Sequence, residues 1–114
     1  MGDMTTADAK TRGLAVEYVK TIGIVNTGPT GRGFASPVDS MVGDDGRLFV
    51  LNRWTPFARV SVYSREEEHL HDIGSHGDGD GQFRLPTAVA LDKRDRVFVA
   101  DEYHHRISVF ESSG

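Results

Sequence analysis

The chain has 114 residues, a formal net charge of −4 and no cysteine, which suits one domain without disulfides or thiolate metal sites. Its mild acidity weighs against nucleic acid as a partner, and no apolar run nears the roughly 20 residues of a membrane span. A reducing compartment fits this composition, so a soluble, cytoplasmic protein is favoured.

Residues 1–13 are polar and small, without the apolar core of a signal peptide, and read as a flexible tail. Residues 14–23, LAVEYVKTIG, alternate apolar and polar and predict a strand. They are similar to EHLHDIG at 68–74, which also ends in Ile-Gly. A glycine-rich segment follows each.

Further along, residues 86–110 predict three short strands: Thr87 to Leu91, Arg96 to Ala100 and Arg106 to Phe110. Lys93-Arg94-Asp95 is a tight turn and Glu102 to His105 a polar loop. The same pattern occurs earlier, with Pro37 and Pro86 standing 49 residues apart (86 − 37). At that offset Phe34 matches Phe83, Arg47 matches Arg96 and Leu48-Phe49-Val50 matches Val97-Phe98-Val99. Over the last strand the offset becomes 47 (106 − 59), because the first copy has a longer loop from Trp54 to Ala58. A period of this length predicts a repeat architecture.

The second copy resembles the NHL repeat. The residues that carry the resemblance are Gly74, Gly77, Gly79, Gly81-Gln82-Phe83, Pro86, Val89-Ala90, Asp92, Val97 to Asp101, His105-Arg106-Ile107 and Val109-Phe110. The first copy departs from it: Gly43 and Asn52 replace two aspartates, and Pro56-Phe57-Ala58 interrupts the core. The resemblance covers roughly residues 14–114. It implies an all-β fold with one four-stranded antiparallel propeller blade per repeat.

The strand order then makes 37–73 a complete first blade and 86–110 three strands of a second. Residues 14–23 are left over as an outer strand that completes the 86–110 blade of a neighbouring chain. Two blades cannot close a ring, so head-to-tail association with strand exchange is expected. The family resemblance favours six blades, hence a homotrimer; a tetramer and then a dimer rank behind it. A fragment of a longer propeller is the competing reading.

The glycine-rich run 74–81 alternates Asp with Gly but lacks the remaining oxygen ligands of a calcium loop, so it reads as a turn. Connectors 24–36, 53–58, 75–85 and 102–105 should emerge on one face. Arg53, Trp54, Tyr103 and His104 on that face are the candidate ligand-binding residues, for a protein or small molecule. Asp39 lies near the expected channel. Threefold repetition would gather its carboxylates, so it is the one candidate metal ligand, for a divalent cation such as calcium or zinc. No nucleophile elbow or metalloprotease helix is present, so no catalytic residue is assigned. A non-enzymatic, self-assembling scaffold is the leading function. A metal-dependent lyase or lactone hydrolase of the six-bladed type is the alternative, and an RNA-binding propeller is the second.

Overall fold

A computed structural model describes residues 16–24 and 33–113. The described secondary structure is β throughout: β1 (Pro37–Val42), β2 (Leu48–Asn52), β3 (Arg59–Tyr63), β4 (His69–Ile73), β5 (Ser75–His76), β6 (Gln82–Phe83), β7 (Pro86–Leu91), β8 (Val97–Asp101) and β9 (Arg106–Phe110). Among the described residues no helix is long and apolar enough to cross a membrane.

β1 to β4 form a four-stranded antiparallel sheet in chain order, the first blade, and β7 to β9 a three-stranded one, the second. The hairpin turns explain why the strands stop where they do. Gly46 turns from β1 to β2 at φ 87°, and Asp95, its repeat counterpart, adopts φ 57° between β7 and β8. Both are residue types that tolerate the left-handed region. The glycine-rich run folds into a short parallel bridge, Ser75 to Gln82 and His76 to Phe83.

Period-two alternation sorts each strand into two faces. Phe49, Leu51, Val60 and Val62 of the first blade form one core with Val89, Val97 and Val99 of the second, each at most 4% exposed. The two blades therefore stack by opposite faces. Phe83, fully buried, fills the base of the joint, with its ring edge-on to Phe110 at 5.7 Å. Phe34 repeats this arrangement against Tyr63 at 5.4 Å.

The stacking leaves two faces outside the joint, the first partly covered, since Val50 is 4% exposed. On the first blade, Val38, Ser40, Leu48 and Val50 line a groove with Ile22 and Phe34. On the second, Ala88, Ala90, Phe98, Ala100 and Ile107 line another. These are the repeat counterparts of the buried faces. Ser40, Leu48 and Val50 correspond to Val89, Val97 and Val99, while Phe98, Ala100, Ile107 and Val109 correspond to Phe49, Leu51, Val60 and Val62.

The strand expected over 14–23 is not formed in residues 16–23, the described part of that segment. The physical reason is local: a strand exists by its ladder, and among the described residues no strand pairs with this segment. Tyr18 and Val19 are 79% and 81% exposed. Residues 14 and 15 lie outside the described residues. Among the described residues no strand pairs with the outer edge of β9 either, and Ile107 and Val109 are 65% and 52% exposed.

Candidate functional site on the loop face

The connectors meet on one face, as their backbone bonds record. Arg53 N–H donates to Ser36 O at 3.0 Å and Trp54 N–H to Ala35 O at 3.1 Å. Glu102 N–H donates to Leu85 O at 3.0 Å, the equivalent bond of the second blade. Beneath each loop one buried side chain ties connector to strand. Asn52 Oδ1 accepts from Ala35 N–H at 2.8 Å, while its amide donates to Val50 O, Arg59 O and Ser61 Oγ. In the second blade Asp101 accepts from Arg84, Leu85 and Tyr103 N–H groups at 2.8, 3.0 and 3.1 Å.

The richest cluster lies above Asp101. His104 Nδ1 meets Asp101 Oδ2 at 2.7 Å and its Nε2 meets Asp78 Oδ1 at 2.9 Å. Both nitrogens face carboxylates, so both bonds are made together only when both carry a proton. Arg84 grips Asp78 with two nitrogens, Nη2 at 2.8 Å, in the fork geometry that suits carboxylates. The same guanidinium lies over the Tyr103 ring, 5.5 Å from its centroid. Tyr103 stands edge-on to His104 at 5.2 Å and is 61% exposed.

The carboxylates respond to these contacts. Hydrogen bonds from Arg84, then from His104, hold the Asp78 carboxyl well below its ordinary value. Burial pushes Asp101 up, but the N–H groups of Arg84 and Leu85, with His104, outweigh it and the net shift is downward. The carboxylates of the cluster are thus engaged by donors within it. What it offers a partner is an aromatic and guanidinium surface more than a net charge.

Of the sequence-predicted residues, Tyr103 and His104 are in contact. Arg53 and Trp54 hold the corresponding place on the first blade, where Trp54, 44% exposed, stands edge-on to Phe57 at 6.1 Å. Asp78 and Arg84 complete the Tyr103–His104 cluster and were not singled out from sequence. Their signal was faint, one Asp in a glycine run and an Arg six residues on.

Asp39 lies between the blades. Its Oδ1 accepts from Ser40 N–H and its Oδ2 from Val89 N–H, both at 2.9 Å. One carboxylate thereby serves a backbone donor on each blade. Among the described residues no group of three His, Asp or Glu side chains converges as a metal site.

Residues 83–110, from the buried Phe83 through β9, match the family model of the NHL repeat. These residues thus carry an NHL repeat. NHL repeat-containing protein 3 of Mus musculus is 30% identical over 97 residues, covering 84% of this chain and 28% of that protein. Protein lin-41 of Caenorhabditis elegans is 38% identical over 42 residues, 37% of this chain and 4% of that protein. The E3 ubiquitin-protein ligase TRIM71 of Rattus norvegicus is 43% identical over 42 residues, 37% of this chain and 5% of the ligase. The chain thus spans under a third of the length of each of these relatives. The NHL assignment accounts for the duplicated Asn52 and Asp101 ties and the paired Phe34 and Phe83 plugs as two copies of one design.

Proposed function

We propose that this NHL-repeat chain is a self-assembling propeller scaffold. Three copies close a six-bladed ring, with residues 14–23 of each passing to the next, and the ring presents its loop face and central channel to a protein or small ligand. The observation that carries this reading is the correspondence between buried and open faces. The open face of each blade repeats, position by position, a face already buried at the joint inside the chain. An interface that forms once within a chain can form again between chains, and head-to-tail repetition closes when the rotation divides a full turn. Uncovered, these apolar faces and the β9 edge are liabilities.

Arg53, Trp54, Tyr103 and His104 are the binding residues in this reading, each present three times around the axis. Aromatic and guanidinium groups make frequent anchors in protein interfaces. Asp39 acts between blades through its two backbone bonds.

Light scattering on the purified chain tests the assembly. The expected mass is near three times 12.5 kDa. A protein that stays at the mass of one chain across micromolar concentrations overturns the ring.

A further inference from the structure

The geometry points to a defined register for the exchanged strand: residues 17–23 of a second copy pair antiparallel with β9, and the Thr21 hydroxyl accepts from the buried Nε of Arg106. This rests on the ring reading above and names the residues that join one copy to the next.

Three observations place residues 17–23 as the outer strand of a blade. The first is internal. His69 Nε2 meets Asp72 Oδ1 at 3.0 Å within β4, and Tyr18 OH meets Thr21 Oγ1 at 3.3 Å at the matching positions. The second is the seat of the Ile-Gly end. A Cβ on Gly74 would lie 2.4 Å from the Phe83 ring, and one on Gly23 would lie 2.4 Å from the Phe34 ring. Each glycine therefore presses on the plug of the blade that follows. The third is the contact to that next blade. His71 Nε2 meets Ser112 O, just past β9, at 2.9 Å. Lys20, its counterpart, meets Glu67, just past β3, at 2.6 Å. Residues 17–23 thus lie beside the first blade as β4 lies beside the second, and among the described residues no inner strand pairs with them.

β9 has an unpaired edge among the described strands that can serve as the inner edge. In the first blade Arg59 Nε faces Asp72 Oδ1 of β4 at 3.6 Å. In the second, Arg106 Nε is buried without an acceptor, while its Nη2 donates to Gly79 O and Gln82 O. A buried donor left unbonded is costly, and the residue aligned with Asp72 is Thr21, whose hydroxyl can accept.

The register follows by transfer. β3 and β4 pair Val60 with Ile73, Ser61 with Asp72, Val62 with His71 and Tyr63 with His69. The offsets of 47 (106 − 59) and 51 (73 − 22) carry these to Ile107 with Ile22, Ser108 with Thr21, Val109 with Lys20 and Phe110 with Tyr18. Leu70, skipped at the β3–β4 irregularity, becomes Val19.

The absence of cysteine makes the register directly readable. A chain carrying Lys20→Cys and Val109→Cys places two thiols opposite each other across the exchanged pair, within the Cα separation a disulfide accepts. On mild oxidation it should give covalent dimers and trimers on a denaturing gel. The Lys20→Cys, Ile107→Cys chain, displaced by two residues on the same face, should cross-link several-fold less. If both variants assemble as trimers when reduced, yet the Ile107 pair links as well or neither links between chains, the register is wrong and the ring stands. If neither they nor the parent chain assembles, the ring reading fails and the register with it. A disulfide at the mass of one chain also overturns the exchange. For the Arg106 bond, Thr21→Val should raise the concentration for half-assembly about tenfold, and Thr21→Asp, the residue the first blade uses, should lower it. An unchanged midpoint in Thr21→Val removes that bond from the account.

Discussion

Asp101 is 2% exposed, yet it is a carboxylate, set at the loop end of the central strand β8. Its burial is tolerable because three backbone N–H groups and an imidazole converge on it, so the charged form is the bonded one. Asp101→Ala should cost about 3 kcal/mol in urea unfolding at neutral pH, since several buried donors lose their acceptor together. The acid limb has a definite sign. The folded-state pKa is depressed below the ordinary 3.8, so the stabilisation is fully present above that value. As pH falls further the unfolded chain binds the proton first, and the contribution is lost as pH drops through the lower, folded value. Asp101→Asn should therefore lose less stability than the parent between pH 5 and pH 2; equal losses would show that this carboxylate does not govern the limb. The sequence marks Asp101 as a position of the repeat, but not as the acceptor of three backbone N–H groups. It did not show how the first blade copes with Gly43, where the second has Asp92. Asp92 accepts from Arg96 N–H at 2.9 Å and from its Nε at 2.6 Å. In the first blade Asp45, two positions later, gives Arg47 the same two bonds at 3.0 and 2.6 Å. The arginine is kept and the carboxylate has moved, which position-by-position alignment scores as a loss.

At the scale of elements, the strands and hairpins were legible because alternation and turn chemistry are local. The β5–β6 bridge was not: it depends on Gln82 reaching back to Gly79 N–H at 2.9 Å and to Ser75 Oγ at 3.2 Å, contacts with no periodic signature. Nor could sequence show that residues 16–23 form no strand in a single chain, because strand propensity does not supply a partner edge. Gly74 and Gly23 separate these two situations. Both have positive φ and both would drive a Cβ into a phenylalanine ring. Phe83 is fully buried in the joint and has nowhere to retreat, so Gly74→Ala should destabilise the fold by about 2–3 kcal/mol. Gly23 sits on an exposed segment, so Gly23→Ala should leave the unfolding of a dilute single chain nearly unchanged and weaken assembly instead. Comparing urea midpoints with assembly midpoints checks this. A Gly23→Ala chain that loses as much folding stability as Gly74→Ala would mean that residues 16–24 already belong to the single-chain fold.

At the scale of the whole molecule, the governing fact is that one interface is present inside the chain and its two halves are displayed again on the outside. The halves differ in side-chain size in opposite directions. Ala100 stands where the joint has Leu51, and Leu48 stands where it has Val97; Ile107 replaces Val60, and Ser40 replaces Val89. Close packing requires total volume to be kept more than individual residues, so a second joint built from these substitutes remains feasible. Ile107 isolates the effect. It is 65% exposed, whereas Val60 is fully buried. Placing a carboxylate at Ile107 should scarcely disturb a single chain, because the side chain already faces water. In a closed ring the same carboxylate would be buried without a partner, which costs several kcal/mol and exceeds the about 1.5–3 kcal/mol that burying an isoleucine contributes. Ile107→Glu should therefore give a folded protein with the mass of one chain, with its sheet circular dichroism intact. Retention of a three-chain mass in this variant would exclude the second-blade face from the contact.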